Sequence, residues 1–363
     1  MTKKNEFILD IAFHPGETLS EKLEEINMGP KEFAIRTGKP EKTIIAVLKG
    51  ESAITPDMAV LFEDVLKIPA SFWLKRQYKY DEYIARQKRQ QVIEEAEDWA
   101  REFPYAEMAK QGWVEPTRKI GEKVVALFQF FGLSSPEAWK DYFYHQQLKV
   151  AFRVSLYNTK SPHALSAWIR QGELQAEELA CGAYDNKKFQ EILPRLKTLM
   201  ATHPEDFFTR LQHLCLSCGV KVIYTPCISK APISGATRWI KGYPVIQLSG
   251  RYKQNDRFWF TFFHEVGHIL LHGKKDIFLE DIEYNDYDQD KEREADEFAI
   301  KWTLSEDEER EIVENAPLYE DDIVRYAKKF NTHPAMIIGR LQKKGLLPYS
   351  VGREFFIKLD LMN

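Results

Sequence analysis

The feature that most constrains this chain is the run RFWFTFFHEVGHILLHG at 257–273, apolar, of helical length, and carrying two histidines and a glutamate. Asn255 and Asp256 precede it as candidate caps. Inside it sits His264-Glu265-Val266-Gly267-His268. Four residues of helix rise about 6 Å, slightly over one turn. Both imidazoles therefore leave the same face and can reach one ion. Glu265 follows the first histidine and points beside that ion, where it can take a proton from a water molecule. Neutral imidazole suits zinc, and catalytic zinc sites keep three protein ligands and an open position. The competing interpretation is a pair of satisfied core histidines in a chance match of the five-residue pattern.

A third ligand must come from elsewhere, and DKEREADEFAIKW at 290–302 supplies candidates. Glu292 and Asp296 lie four apart on one helical face. Glu292 can complete the metal site, and Asp296 can accept the free ring N–H of a ligand histidine and so fix its tautomer. This is the Glu-xxx-Asp arrangement of thermolysin-like zinc peptidases. Glu294 is the rival ligand, but it lies about 200° around the helix from Glu292, with no partner in the Asp296 position. His272 stands about 12 Å along the axis from His264, too far to share the ion on a straight helix. The metzincin spacing places its third histidine at 274, which is Lys274, and so does not apply. Between the two helices runs the acidic segment 276–290, a solvated loop or a lid over the site.

The chain has 363 residues, room for two or three domains. No run of about 18 apolar residues is present, so no membrane span is expected. The N-terminus lacks a signal-peptide pattern, which makes the cytoplasm the default location. A net charge of −4 gives no global push toward nucleic acid or membrane. Cys215 and Cys218 form a CxxC with Cys227 nearby, but no fourth ligand follows at zinc-site spacing. Reduced, buried cysteines are expected there.

The expected fold is mainly α with a small β-sheet, in four segments. Residues 1–80 form an all-α unit and 81–204 a helical middle or linker region. The peptidase domain spans 205–347, and a tail follows at 348–363. In the middle region, DEYIARQKRQQVIEEAEDWAREF reads as one long amphipathic helix, and VEPTRKIGEKVVALFQFFGL as a second, ended by Gly132. Strands are expected at 220–226, 233–240 and 243–249, between Pro and Gly signals. The strand at 233–240 could offer an edge to an extended substrate.

Residues 1–80 read as a helix-turn-helix. Helices are expected at 17–28, 30–38, 40–50 and 55–68, followed by PASFWLKRQYKY at 69–80. The second stops at Gly38, and Pro40 opens the third, the expected recognition helix. A local basic footprint comes from Lys31, Arg36, Lys39, Lys42 and Lys49, with Thr43 at a base-edge position. The segment as a whole has 12 basic and 12 acidic residues, so the footprint is local only.

Two resemblances follow from these motifs. Residues 14–73, with the HPGE start, the central AIRTG, ITPDMA and the closing FW, resemble the Xre-type helix-turn-helix of HigA-like antitoxins. FHEVGHILLH and EREADEFA resemble the ImmA/IrrE metallopeptidases over about 205–345, and RLQKKGLL fits the helical end of that domain. Residues 81–200 match no family by motif. The second resemblance implies a zincin-like endopeptidase that inactivates a transcriptional repressor under stress, prophage or foreign-DNA signals. It implies Zn2+ held by His264, His268 and Glu292, with Glu265 as general base. In place of the family's usual small-Pro end of the second helix stands WTLS at 302–305, which leaves that wall of the cleft open. His333 in NTHPAMIIGR is the candidate donor to the oxyanion; a structural histidine at a helix start is the other reading.

The expected function is a DNA-binding regulator whose zinc endopeptidase cleaves a regulatory protein (a repressor, an antitoxin or itself). The expected partners are operator DNA and a protein substrate or cognate toxin, with homodimerisation from two-fold operators. The alternative is an antitoxin-like repressor whose peptidase-like domain only senses or binds a partner. The intact Glu265 favours the first.

Overall fold

The structure is a computed structural model that describes residues 12–147, 161–231, 233–273, 278–279, 286–359 and 361. The chain divides into two compact units, Met1–Glu95 and Ala96–Asn363.

The first unit has helices α1 (Pro15–Glu25), α2 (Pro30–Thr37), α3 (Glu41–Leu48), α4 (Pro56–Leu66) and α5 (Ala70–Glu95). α1 begins two residues before the expected start. His14 caps it, its Nδ1 accepting the Gly16 N–H at 2.9 Å, with Pro15 in the first turn. Gly16 is needed because a Cβ there would lie 1.9 Å from the Val47 carbonyl oxygen, so α1 closes directly onto α3. Gly38 ends α2 in the left-handed conformation (φ 64°). Thr55 caps α4 by accepting the Met58 N–H at 3.3 Å. Leu19, Phe33, Ile44, Val47, Phe62 and Trp73 meet in one core. Trp73 comes from α5, and the buried Gln77 side chain accepts the Ile54 N–H at 2.9 Å. Residue 80, the expected domain end, therefore lies inside a helix. PASFWLKRQYKY and the long amphipathic segment fuse into α5, because no Pro or Gly interrupts 70–95. The long segment itself breaks at Ala96, and α6 (Glu97–Arg101) follows.

In the second unit come α7 (Tyr105–Lys110), α8 (Ile120–Phe131), α9 (Pro136–Trp139) and a π-helical stretch at Lys140–Gln147. Gly132 ends α8 at φ 68°, as its sequence indicates. Next are α10 (Pro162–Glu178), α11 (Asn186–Thr202) and α12 (Phe207–Leu216), then β1 (Lys221–Tyr224), β2 (Gly235–Ile240) and β3 (Tyr243–Leu248). Then follow α13 (Asn255–His272), β4 (Phe278–Leu279), α14 (Asp286–Thr303), α15 (Glu306–Glu314), α16 (Glu320–Lys329) and α17 (Pro334–Lys343). The sheet order is β1-β3-β2-β4, with β1 parallel to β3 and the other pairs antiparallel. Part of the outer edge of β2 is taken, since β4 pairs with it at Ala236 and Thr237.

The strand pattern explains the layers. Val222, Ile246 and Leu248 face Phe258, Phe262 and Val266 of α13. Ile223 and Val245 alternate with them and face Ala176 of α10. Both faces of the sheet are covered, so α10 is structural to the sheet and not a spacer. Trp168 and Gln175 of α10 donate to the carbonyls of Thr225 and Tyr224 at 3.0 and 2.9 Å. Glu107 of α7 accepts the Ser229 N–H at 2.6 Å, tying the middle region to the loop after β1. The segment expected as a tail also packs. The Asn255 N–H donates to Ile357 O, the Leu359 N–H to Lys253 O, and Leu359 is buried.

Under the sheet lies a buried polar network. Arg238 of β2 is 2% exposed; its guanidinium donates to Glu173 at 3.1 Å, to the Ile169 carbonyl at 2.9 Å and to Gln247 at 3.1 Å. Gly172 leaves room for Gln247, which would lie 2.0 Å from a Cβ there. Removing one partner of a buried ion pair strands the other charge, at a cost of about 3–5 kcal/mol. We expect Glu173→Ala to lower unfolding stability by roughly that amount in a denaturant titration. Adding Arg238→Met should recover much of the loss, whereas additive losses would mean that the pair is not coupled.

Candidate metal centre

α13 is amphipathic in an unusual sense: its buried surface includes both core aromatics and the polar trio. His264 is 2%, Glu265 0% and His268 1% exposed. Asn255 and Asp256 are not its caps. Gln254 precedes the first turn, and the Asn255 side chain instead accepts the Ile357 N–H at 3.1 Å. Opposite the trio runs α14, and small residues set the crossing. A Cβ on Gly267 would lie 3.1 Å from Ala295 Cα and 3.2 Å from Phe298 Cβ, and Ala295 and Ala299 are fully buried. Gly267 is thus the residue of the HEVGH motif that lets α14 approach.

This approach brings the expected residues together. His264 Nε2 and His268 Nε2 stand 2.9 Å apart. Glu292 Oε2 is 3.2 Å from His264 Nε2, and Glu292 Oε1 is 3.5 Å from His268 Nε2. His264, His268 and Glu292 are the one His/Cys/Asp/Glu cluster among the described residues with ligand atoms close enough to share an ion. Donors on one tetrahedral zinc at its usual bond lengths lie roughly 3.3 Å apart, so the spacing fits.

The outer contacts agree with that fit. His264 Nδ1 is 2.9 Å from Asp296 Oδ1. With the Nδ1 proton given to this carboxylate, Nε2 is left as a lone pair aimed at Glu292, two acceptors that a cation reconciles. Burial pushes His268 down to about 4, keeping it neutral. Burial works to raise the Glu292 carboxyl, but a ring N–H of His264 or His268 turned toward it outweighs burial and holds it at about 2, and a bound cation would take the place of that proton. A neutral imidazole and an ionised carboxylate are the forms that bind a metal.

Glu294 is not in the cluster. Its Oε2 meets His272 Nε2 at 2.9 Å, and His272 Nδ1 lies 3.0 Å from His268 Nδ1. A His268–His272–Glu294 chain therefore backs one imidazole as Asp296 backs the other. Sequence reasoning set His272 aside as a ligand and missed this role; its spacing of four from His268 was the available signal. Glu265 lies against the start of β2. Its backbone carbonyl accepts the Thr237 hydroxyl at 3.1 Å, and a Cβ on Gly235 would come within 2.6 Å of its Oε1.

A 310 Å³ cavity opens beside the cluster, lined by His264, Glu292 and Asp296 on one side and by residues of α17 on the other. Thr303 and Leu304 form the wall left open by the WTLS sequence, while Trp302 stacks on Phe263. His333 is corrected: it is a helix cap. Its Nδ1 accepts the Ala335 N–H at 3.2 Å and lies 3.3 Å from Asn255 Nδ2, nine residues of α13 before His264, a rise of about 13 Å. Most of the acidic segment 276–290 lies outside the described residues. Cys215 and Cys218 are buried, and burial pushes the Cys218 thiol up to about 11.

Of the expected DNA-facing residues, Lys31, Arg36, Lys42 and Lys49 are exposed, and Lys39 and Thr43 are half-buried on and around α2 and α3. Arg36 pairs with Glu32 at 2.6 Å.

Comparison with known proteins agrees with both units. Residues 215–342 match the peptidase M78 family, described as the IrrE N-terminal-like domain. The uncharacterized HTH-type transcriptional regulator YddM of Escherichia coli is 33% identical over 63 residues, 17% of this chain and 67% of YddM. The C-terminal domain belongs to the peptidase M78 family, and the N-terminal one is of the helix-turn-helix regulator type. Among solved structures, an addiction module antidote protein of the HigA family from Coxiella burnetii is 32% identical, over 23% of this chain and 91% of that one (TM-score 0.22). The Pseudomonas aeruginosa antitoxin HigA, solved with the higBA promoter, is 27% identical over 23% of this chain and 94% of its own (TM-score 0.23). No helix among the described residues is long and apolar enough to cross a membrane.

Gly235 carries the prediction for this peptidase-family domain. Gly235→Ala should push the Glu265 side chain aside and lower any hydrolysis about tenfold or more, from the sensitivity of catalysis to misplacement by an ångström. Zinc content, measured by mass spectrometry, should stay near that of the parent. Loss of zinc in Gly235→Ala would show that the residue supports the metal cluster instead.

Proposed function

We propose that the chain is a DNA-binding regulator whose C-terminal domain is a zinc-dependent endopeptidase acting on a regulatory protein. The observation that carries this reading is the meeting of His264, His268 and Glu292 around one point, with Glu265 adjacent and Asp296 behind. His264, His268 and Glu292 would hold the ion. A bound zinc ion supplies a Lewis acid that polarises the scissile carbonyl and lowers the pKa of water. Glu265 takes the proton from the attacking water and passes it to the leaving amine. Asp296 holds the His264 ring in its tautomer, and His272 with Glu294 does the same for His268. Neutral walls at Thr303, Leu304 and Met336 give an extended peptide apolar surface beside the reacting bond.

A sensor that only binds a partner has no need of Glu265, so one substitution separates the two readings. Glu265→Gln should retain zinc yet lower cleavage of a candidate partner protein by about a hundredfold or more. His264→Ala should emerge metal-free beside a zinc-loaded parent. Identical fragments from the parent and Glu265→Gln would sink the peptidase claim.

For the first unit, α3 is the proposed recognition helix, with Lys42 and Thr43 at its N-terminal end and Lys31, Lys39 and Lys49 toward phosphates. A double substitution, Lys42→Ala with Thr43→Ala, should weaken operator binding by about tenfold or more in a gel shift. Unchanged affinity removes α3 from that role. A two-fold operator would call for a homodimer.

A further inference from the structure

The cavity beside the metal cluster has a second end. Asp256 and Arg257, from the first turn of α13, line it there together with Arg340 and Lys343 of α17. Seven residues separate Arg257 from His264, about 10 Å along the helix. That is the span of about three residues of extended peptide.

The charges at this end are not balanced. Arg340 is paired, its Nε 2.8 Å from Glu309 Oε2. Arg257 and Lys343 have no ion-pair partner among the described residues. Each instead lies over a ring that also lines the cavity: Arg257 over Tyr252 at 5.3 Å, and Lys343 over Phe260 at 5.7 Å. An aromatic face holds a cation in place without cancelling its charge. Asp256 is the one acid lining this end among the described residues. It is 8% exposed, its Oδ1 has no hydrogen-bond partner, and burial raises its carboxyl above the ordinary range. Its charge bears on the adjacent Arg257, but it forms an ion pair with neither Arg257 nor Lys343. Gly339 lets α17 close here, since a Cβ on it would lie 2.6 Å from Asp256 Oδ2.

We propose that Arg257 and Lys343 form an anion subsite, selecting peptides that carry a carboxylate within about three residues of the bond at the metal cluster. The proposal rests on the peptidase reading and names its substrate class. A guanidinium can take a carboxylate through two parallel N–H···O bonds, and an ammonium adds a point charge. A neutral peptide brings no countercharge to these two cations. The carboxylate can be an Asp or Glu side chain or the C-terminus of the substrate, which present the same chemistry to the two cations.

Binding tests this without relying on hydrolysis. The full chain carrying Glu265→Gln, loaded with zinc and immobilised, is exposed to two pools of synthetic octapeptides. The pools are identical except that Asp and Glu in one are Asn and Gln in the other, and each is made with a free and with an amidated C-terminus. At about 0.1 M salt the carboxylate-bearing peptides should be retained about tenfold better than their neutral counterparts. Arg257→Gln with Lys343→Gln should abolish the difference, and Arg257→Glu with Lys343→Glu should favour basic peptides. Loss of retention on amidation assigns the carboxylate to the substrate terminus; its persistence assigns a side chain. Equal retention of acidic and neutral peptides by the parent, or an acid preference that survives the double substitution, overturns the proposal. Retained peptides are then incubated with the chain bearing Glu265. Peptides that stay intact count against the peptidase reading, while the retention data stand on their own.

Discussion

The close crossing of α13 and α14 is the contact on which the rest of the second unit depends. At Gly267 and Ala295 the two helices nearly touch backbone to backbone. That approach brings Glu292 to the two imidazoles and Asp296 to the outer nitrogen of His264. A larger residue at either position would hold the helices apart and leave two buried histidines without their carboxylates, a costly arrangement in a low-dielectric core. The aromatic surface of α13 fixes its other side. Phe258, Phe262 and Val266 seat on the sheet, so the polar face cannot rotate away from α14.

The sheet in turn is clamped from beneath by α10. The network of Arg238, Glu173 and Gln247 is fully buried and hydrogen-bonded across helix and strand. A buried pair of this kind adds little net stability over well-packed apolar groups. It does discriminate against alternatives, because any slip of α10 along β2 would strand a charge. The middle region thereby helps to set where β2 lies, and with it Gly235 and the Glu265 side chain.

Local chemistry was legible where a few neighbouring residues decide the outcome. HEVGH and EREAD each place their side chains by helical spacing alone, and the three strands lie within a residue or two of their sequence positions. The preference for Glu292 over Glu294 matches the geometry for the same reason: two residues of helix turn a side chain to the far side. The errors fell where a distant partner decides. His333 looks like a catalytic donor in sequence, but the α17 backbone and Asn255 claim its ring. Asn255 looks like a cap, but the segment at 355–357 claims its side chain. The strands carried one unread signal about the middle region. VKVIY and YPVIQL are apolar on both faces, and a strand buried on both sides needs a helix layer on each.

The HEVGH motif and its helical spacing are thus fixed by sequence, as are the helix-turn-helix and the mainly α composition, because each depends on residues within one or two turns. The tertiary structure alone decided which carboxylate backs which imidazole, that His272 and Glu294 form a second outer chain, that α10 covers the sheet, and that Arg257 and Lys343, without an ion-pair partner among the described residues, face the same cavity as the cluster. Those outcomes join residues that are far apart in the chain. Their energies come from desolvation and packing, which exist only once the helices have met.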